Sequence, residues 1–124
     1  MPTGIYKLSN GQIVVGTTTV LSRFKDSNAL IHWAWTCGRD GKDCRQERDK
    51  AGEQGTSVHD LAEKHIHKQE YEIPDDAKVK KAFAKFVEWW DQQEYEIVWS
   101  EKQMVCETHK FGGCPDLLVK DKEG

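Results

Sequence analysis

A histidine and two acidic residues are the side chains whose types and spacing indicate chemistry. His59 and Glu63 lie four residues apart on a predicted helix, so their side chains can converge as metal ligands or as an ion pair. Asp116 enters the apolar run 117–119, where a carboxylate is costly unless it is paired, hydrogen-bonded or bound to a metal. Each has an ordinary alternative, namely a solvated histidine–glutamate pair and an aspartate that ends a turn.

The elements that position these residues follow from hydrophobic spacing and turn chemistry. An Asn-Gly turn between two short apolar runs predicts a hairpin, period-3.6 spacing predicts helices, and alternation after Tyr95 predicts strands. Gly55 is predicted to end one helix, and Pro74 with two aspartates to open the last one. The first predicted elements are a hairpin over 5–8 and 13–15 and a helix over 28–34, which Ser27 caps and the run 38–42 interrupts. Three more helices are predicted, one over 44–53, one that begins after Thr56 or Ser57 and one that begins after Asp76. Strands are predicted over 95–106 and 111–120.

Two of these helices carry stripes that are predicted to face a core. The first consists of Val58, Leu61, Ala62, His65 and Ile66, and the second of Val79, Ala82, Phe83, Phe86, Val87 and Trp90. With helices first and strands later, the order predicts an α/β fold, α+β by content, with an incomplete sheet.

Composition limits the class of protein. The chain has 124 residues, 37% of them hydrophobic, which suits one domain over 1–124. The net charge of −3 gives no global basic character, so any surface that binds nucleic acid would have to be a local patch. No apolar run is long enough for a membrane span and no signal peptide is evident, which predicts a cytoplasmic protein. The spacing of Cys37, Cys44, Cys106 and Cys114 predicts structural thiols, and an iron–sulfur cluster is not expected.

Taken in order, several short motifs resemble the RecB-like, phage-exonuclease branch of the PD-(D/E)XK nucleases. The motifs with most discriminating value are Gly-Thr-x-x-His and the later Gly-Gly-x-x-Asp. The resemblance covers nearly the whole chain and rests on residues 28–34, Gly55-Thr56-Ser57-Val58-His59 with Glu63, Ser100-Glu101, and Gly112-Gly113-Cys114-Pro115-Asp116.

The resemblance implies a role for each residue. His59 and Asp116 would bind a divalent metal ion, Glu63 would be a supporting acid, and Glu101 would orient the site. The ion would be Mg²⁺ or Mn²⁺, and a histidine ligand favours Mn²⁺. The implied function is metal-dependent DNA hydrolysis, exonuclease-like, in recombination, repair or phage DNA processing. The resemblance implies DNA as the partner, with a second copy of the chain or a recombination protein as further candidates. It also implies a bacterial or phage source, and hence the bacterial cytoplasm, or the host cytoplasm if the protein is phage-encoded.

The chain departs from the family at its last motif. The family's (D/E)-x-K follows the motif aspartate, but the residues two before Lys120 and Lys122 are Leu118 and Lys120, not acids. We therefore expect a partial nuclease domain that is weak or inactive alone, within a longer hydrolase that cleaves DNA.

The same residues allow two other interpretations. A nuclease fold without catalysis would serve as a nucleic-acid-binding module, with Lys78, Lys81 and Lys85 on phosphates and Trp33 and Trp35 on bases. The other is an unrelated α+β protein in which His59 and Glu63 merely pair.

Overall fold

The computed structural model describes residues 4–124, which form four helices and six strands. This content confirms the predicted α+β fold with a small sheet component. The contacts divide the chain into two compact units. The sheet unit comprises residues up to Asp26 together with Glu94–Gly124, and the helical unit comprises Ser27–Gln93. In chain order the elements are β1 (Tyr6–Lys7), β2 (Ile13–Gly16), α1 (Thr17–Ser22), α2 (Asn28–Arg39), α3 (Cys44–Ile66), α4 (Ala77–Trp90), β3 (Glu96–Ser100), β4 (Met104–Cys106), β5 (Phe111–Gly113) and β6 (Leu117–Lys120).

The predicted N-terminal hairpin is confirmed and forms one side of a four-stranded sheet. β1 pairs antiparallel with β2, and Gly11 in the turn has φ 84°, a conformation that glycine adopts without steric cost. β2 then pairs in parallel with β5, and β5 pairs antiparallel with β4. The order within this sheet is therefore β1-β2-β5-β4.

The Tyr6 ring packs across the middle of this sheet. A Cβ added to Gly112 would lie 2.6 Å from the Cβ of Tyr6, and one added to Gly16 would lie 3.1 Å from its Cε2. Gly112 is itself buried. Glycine is thus required at position 112 because the tyrosine side chain lies directly over the strand backbone.

The two long predicted strands are each broken, and this part of the prediction is wrong. Residues 95–106 divide into β3 and β4 at Glu101, which has φ 49°, and residues 111–120 divide into β5 and β6 around Pro115, which has no N–H to donate. β3 and β6 leave the four-stranded sheet and pair antiparallel with each other. Their register shifts between Ile97 and Trp99, so that Val98 is an extra residue on β3.

The core of the helical unit lies between α3 and α4. Leu61, Val79 and Phe83 are buried, and the half-buried side chains of Val58, Tyr71, Phe86 and Val87 pack against them. The predicted apolar stripes are confirmed except at Ala82, which is exposed.

His65 extends this core toward the ends of both helices. Its Nδ1 lies 3.2 Å from the Tyr71 hydroxyl and its Nε2 lies 2.9 Å from an Asp91 carboxylate oxygen. The ring also meets Phe83 and Phe86 edge to face. A polar side chain in the predicted core stripe is thereby satisfied.

The predicted helix stop at Gly55 is wrong. α3 continues for 23 residues through both Gly52 and Gly55, and neither glycine has a positive φ. A glycine inside a helix costs only about 1 kcal/mol, which packing of the following turns against α4 offsets. At its N-terminus α3 is capped by Asp43, whose carboxylate accepts a hydrogen bond from the Arg45 N–H.

The start of α4 is confirmed. Asp76 occupies the N-cap, and its carboxylate accepts hydrogen bonds from the N–H groups of Lys78 and Val79. Its second oxygen accepts a hydrogen bond from the Gln54 side chain on α3.

In residues 4–124, no helix has the length and apolar character needed to cross a bilayer.

Truncation of the core phenylalanine is expected to destabilise the helical unit. Phe83 is 2% exposed, so Phe83→Ala should lower the free energy of unfolding by about 3–5 kcal/mol through lost contacts and a residual cavity. Phe24→Ala is the matched control because that ring is 85% exposed, and we expect a change within about 0.5 kcal/mol. Urea unfolding followed by circular dichroism measures both, and equal losses would contradict the assigned core.

Stability at acid pH should depend on Asp76. The hydrogen bond from Gln54 and those from the backbone of Val79 and Lys78 lower the pKa of Asp76 below its ordinary value of 3.8. Because the folded pKa is depressed, this stabilisation is fully present above pH 3.8 and is lost as pH falls through the folded pKa. Asp76→Asn keeps a good N-cap and cannot ionise, so its unfolding midpoint should fall less than that of the wild type on acidification. In a Gln54→Ala background, the difference in acid sensitivity between Asp76 and Asp76→Asn should become smaller. If wild type and Asp76→Asn lose stability equally on acidification, the pKa of Asp76 is not lowered by folding.

Candidate metal centre

The pairing of β3 with β6 brings Glu101 and Asp116 together. Ser100 pairs with Leu117, so the residue after β3 and the residue before β6 face each other across the antiparallel ladder. The Glu101 N–H donates a hydrogen bond of 2.9 Å to the Asp116 carbonyl oxygen. A carboxylate oxygen of each residue lies within 4.8 Å of the other. Glu101 therefore directly follows a strand, whereas the predicted strand over 95–106 placed it near the middle.

Glu101 adopts a backbone conformation that its residue type disfavours. Its φ of 49° is left-handed, which costs an L-residue with a Cβ about 1–2 kcal/mol. The hydrogen bond to Asp116 and the ladder before it hold this conformation. Lys68 and Lys110 also have a positive φ, each 55°, and neither lines the candidate site, so this conformation supports a functional role for Glu101 only together with the position of its carboxylate.

The two carboxylates line a cleft of about 590 Å³ in the sheet unit. β2 and β5 are parallel neighbours, so the segments that follow them leave the sheet at the same edge. Thr17 begins one of these segments, and its hydroxyl donates a hydrogen bond of 3.0 Å to the Gly112 carbonyl oxygen. The cleft is lined by Gly4, Tyr6, Gly16, Thr17, Thr18, Thr19, Glu101, Gly113, Cys114, Pro115 and Asp116.

The donor set suits a hard divalent cation. Mg²⁺ binds oxygen at about 2.1 Å and is commonly held by one or two carboxylates while it keeps several waters. Two ligands at that distance are about 3 to 4 Å apart, so small side-chain rotations bring Glu101 and Asp116 into range. Both residues are exposed, which leaves room for water on the remaining positions. The residues present therefore fit Mg²⁺ or Mn²⁺.

The other predicted site residues lie in the helical unit. His59 is an exposed residue of α3, and its role as a metal ligand stays a prediction. Glu63 is half-buried on the same helix, with a carboxylate oxygen 3.3 Å from the Nε2 of His67, and its supporting role also stays a prediction. The predicted nucleic-acid contacts, Lys78, Lys81 and Lys85, are exposed on α4.

The sequence did not predict that Thr18, Thr19 and Cys114 line the cleft. Thr18 and Thr19 are exposed in the lining, and neither of them has a role at the site that was predicted from the sequence. Cys114 is a free, half-buried thiol two residues before Asp116. The signal that places them together is the parallel pairing of β2 with β5, which joins the two ends of the chain and leaves no local pattern. The described lining contains neither lysine nor arginine.

Two substitutions separate the carboxylate of Glu101 from its backbone. Glu101→Gly and Glu101→Val both remove the acid, but glycine accepts a φ of 49° and a β-branched residue does not. We expect the valine variant to be less stable than the glycine variant by about 1–2 kcal/mol. Thermal unfolding without metal measures the difference. Lys102→Gly against Lys102→Val controls for the general effect of the two residue types, because Lys102 is exposed and does not have a positive φ. Equal midpoints for the two Glu101 variants would show that no strain is present.

No family model, curated protein or solved structure matches this chain.

Proposed function

We propose that this chain contributes a Mg²⁺ or Mn²⁺ site to metal-dependent hydrolysis of DNA phosphodiesters. The observation that supports the proposal most is the meeting of the Glu101 and Asp116 carboxylates, within 4.8 Å, at a cleft open to solvent. A hydrogen bond between the two backbones fixes this pair, and one of the two residues is in a strained conformation. The resemblance to exonuclease-like PD-(D/E)XK proteins supplies the reaction and the DNA substrate.

The carboxylates and the hydroxyls of the cleft have different roles in the proposed site. A bound divalent ion would lower the pKa of a coordinated water and neutralise phosphate charge. Asp116 and Glu101 would hold and orient the ion through their carboxylate oxygens. The exposed hydroxyls of Thr18 and Thr19 can donate hydrogen bonds to phosphate oxygens in the same cleft.

His59, in the helical unit, is proposed as a metal ligand on the resemblance alone. An imidazole nitrogen suits Mn²⁺ better than Mg²⁺, so a site that includes it would prefer Mn²⁺. A site of the two carboxylates alone would discriminate less between these ions.

These residues alone are proposed to cleave DNA slowly. The described lining offers carboxylates and hydroxyls but no lysine or arginine to stabilise charge at the scissile phosphate. A non-catalytic module that binds nucleic acid through Lys78, Lys81 and Lys85 is the second candidate, because the lack of a cation in the cleft counts against catalysis there. Incubation of labelled DNA with the chain and Mn²⁺ separates the two, because only a nuclease shortens the strand.

Metal binding is tested by thermal unfolding with and without Mn²⁺ or Mg²⁺. A ligand that binds only the folded protein at 100 times its Kd stabilises it by about 2.7 kcal/mol, so the midpoint should rise. Asp116→Asn and Glu101→Gln should each abolish the rise. Glu96→Gln is the matched control, since it removes an exposed acid from the other end of β3 and should keep the rise.

The histidine is tested in the same experiment. If His59 is a ligand, His59→Ala should weaken the response to Mn²⁺ more than the response to Mg²⁺. An equal rise in wild type and Asp116→Asn, or no rise at any metal concentration, would refute the proposed centre.

A further inference from the structure

One face of α4 carries three lysines in line with an exposed tryptophan. Lys78, Lys81, Lys85 and Trp89 fall at i, i+3, i+7 and i+11, which places them on the same side of the helix. The core residues Val79 and Phe83 lie on another side of it. We call these four residues the α4 stripe, and at 1.5 Å per residue it extends for about 16 Å.

The α4 stripe is a local positive surface on a negatively charged chain. α4 contains four lysines and one acid, Glu88, whereas the whole chain has a net charge of −3. All three stripe lysines are exposed. Lys85 forms an ion pair of 2.9 Å with Glu88, and within the described part of the chain no ion pair is found for Lys78 or Lys81. Polyanions are the ligands that such a surface attracts.

Trp89 gives the α4 stripe a flat apolar end. The residue is 49% exposed. Its ring centroid lies 6.2 Å from that of Phe86 and 6.1 Å from that of Trp90, both of which are half-buried. These ring contacts support the indole on one side, which lowers the side-chain entropy that is lost when a ligand stacks on it.

We infer that the α4 stripe binds single-stranded DNA, with the lysines on the phosphates and Trp89 stacked on an unpaired base. The inference rests on DNA as the substrate of the proposed function and adds its strand preference. In a duplex the base faces are covered by their neighbours and only the edges are accessible, so an indole face has nothing to stack on. In a single strand every base offers a face, and a lysine-lined helix follows the backbone beside it.

The test compares a labelled single strand of about 12 nucleotides with its duplex, by fluorescence anisotropy in EDTA. Trp89→Leu should weaken single-strand binding about 5- to 150-fold, the range that base–aromatic stacking supports, and change duplex binding less than about twofold. Trp89→Phe keeps a ring in the same packing and should give an intermediate loss. Circular dichroism verifies that each variant is folded.

The lysines are tested through salt dependence. Lys81→Gln should lower the slope of log affinity against log salt for the single strand by about 0.7, the value of one phosphate contact. Lys80→Gln is the matched control, because Lys80 lies on the other flank of α4, paired with Asp75, and removes the same charge. Its slope should equal that of the wild type.

Two results would overturn the inference, namely equal affinity for single strand and duplex, or unchanged single-strand binding by folded Trp89→Leu. Its failure is distinct from failure of the proposed metal centre. The DNA measurements contain EDTA, and the Mn²⁺-dependent rise of the melting midpoint should be the same in Trp89→Leu as in the wild type.

Discussion

The one extra residue on β3 is the constraint on which the candidate metal centre depends. Because Val98 has no partner of its own, Ser100 pairs with Leu117 and the next residue, Glu101, reaches Asp116. In an unbulged ladder Ser100 would oppose Asp116, and the glutamate would lie one residue beyond it. A shift of one residue also reverses the face of each following side chain, so the bulge determines both the distance and the direction of the carboxylate.

The two units are stabilised in different ways. In the helical unit Leu61, Val79 and Phe83 form a buried cluster, and the charged side chains lie on faces away from it. In the described part of the sheet unit Leu8 is the buried apolar side chain, so strand pairing and the packing of Tyr6 carry more of the stability. An ion shared by the ends of β3 and β6 would join two strand ends in the unit with the smaller core. Metal binding and folding are therefore expected to be strongly coupled there.

The sequence was informative where a local signal is not opposed by packing between elements. The N-terminal hairpin, the start of α4 at Asp76 and the apolar stripes follow from turn chemistry, capping and periodicity, and the structure confirms them. The stop at Gly55 failed because the cost of one glycine is smaller than the gain from packing α3 against α4. The bulge and the parallel pairing of β2 with β5 join residues distant in sequence. No local pattern encodes them, and for that reason the threonine side of the cleft was not predicted.

The contact between Tyr6 on β1 and Gly112 on β5 joins the N-terminal and C-terminal segments of the sheet unit. Any side chain at position 112 meets the tyrosine, so the aromatic ring and the absence of a Cβ are two halves of one steric fit. Over evolutionary time neither position is free to change alone. A larger residue on β5 is compatible with this sheet only where β1 carries a smaller one, so an alignment of relatives should show the two positions varying as a pair.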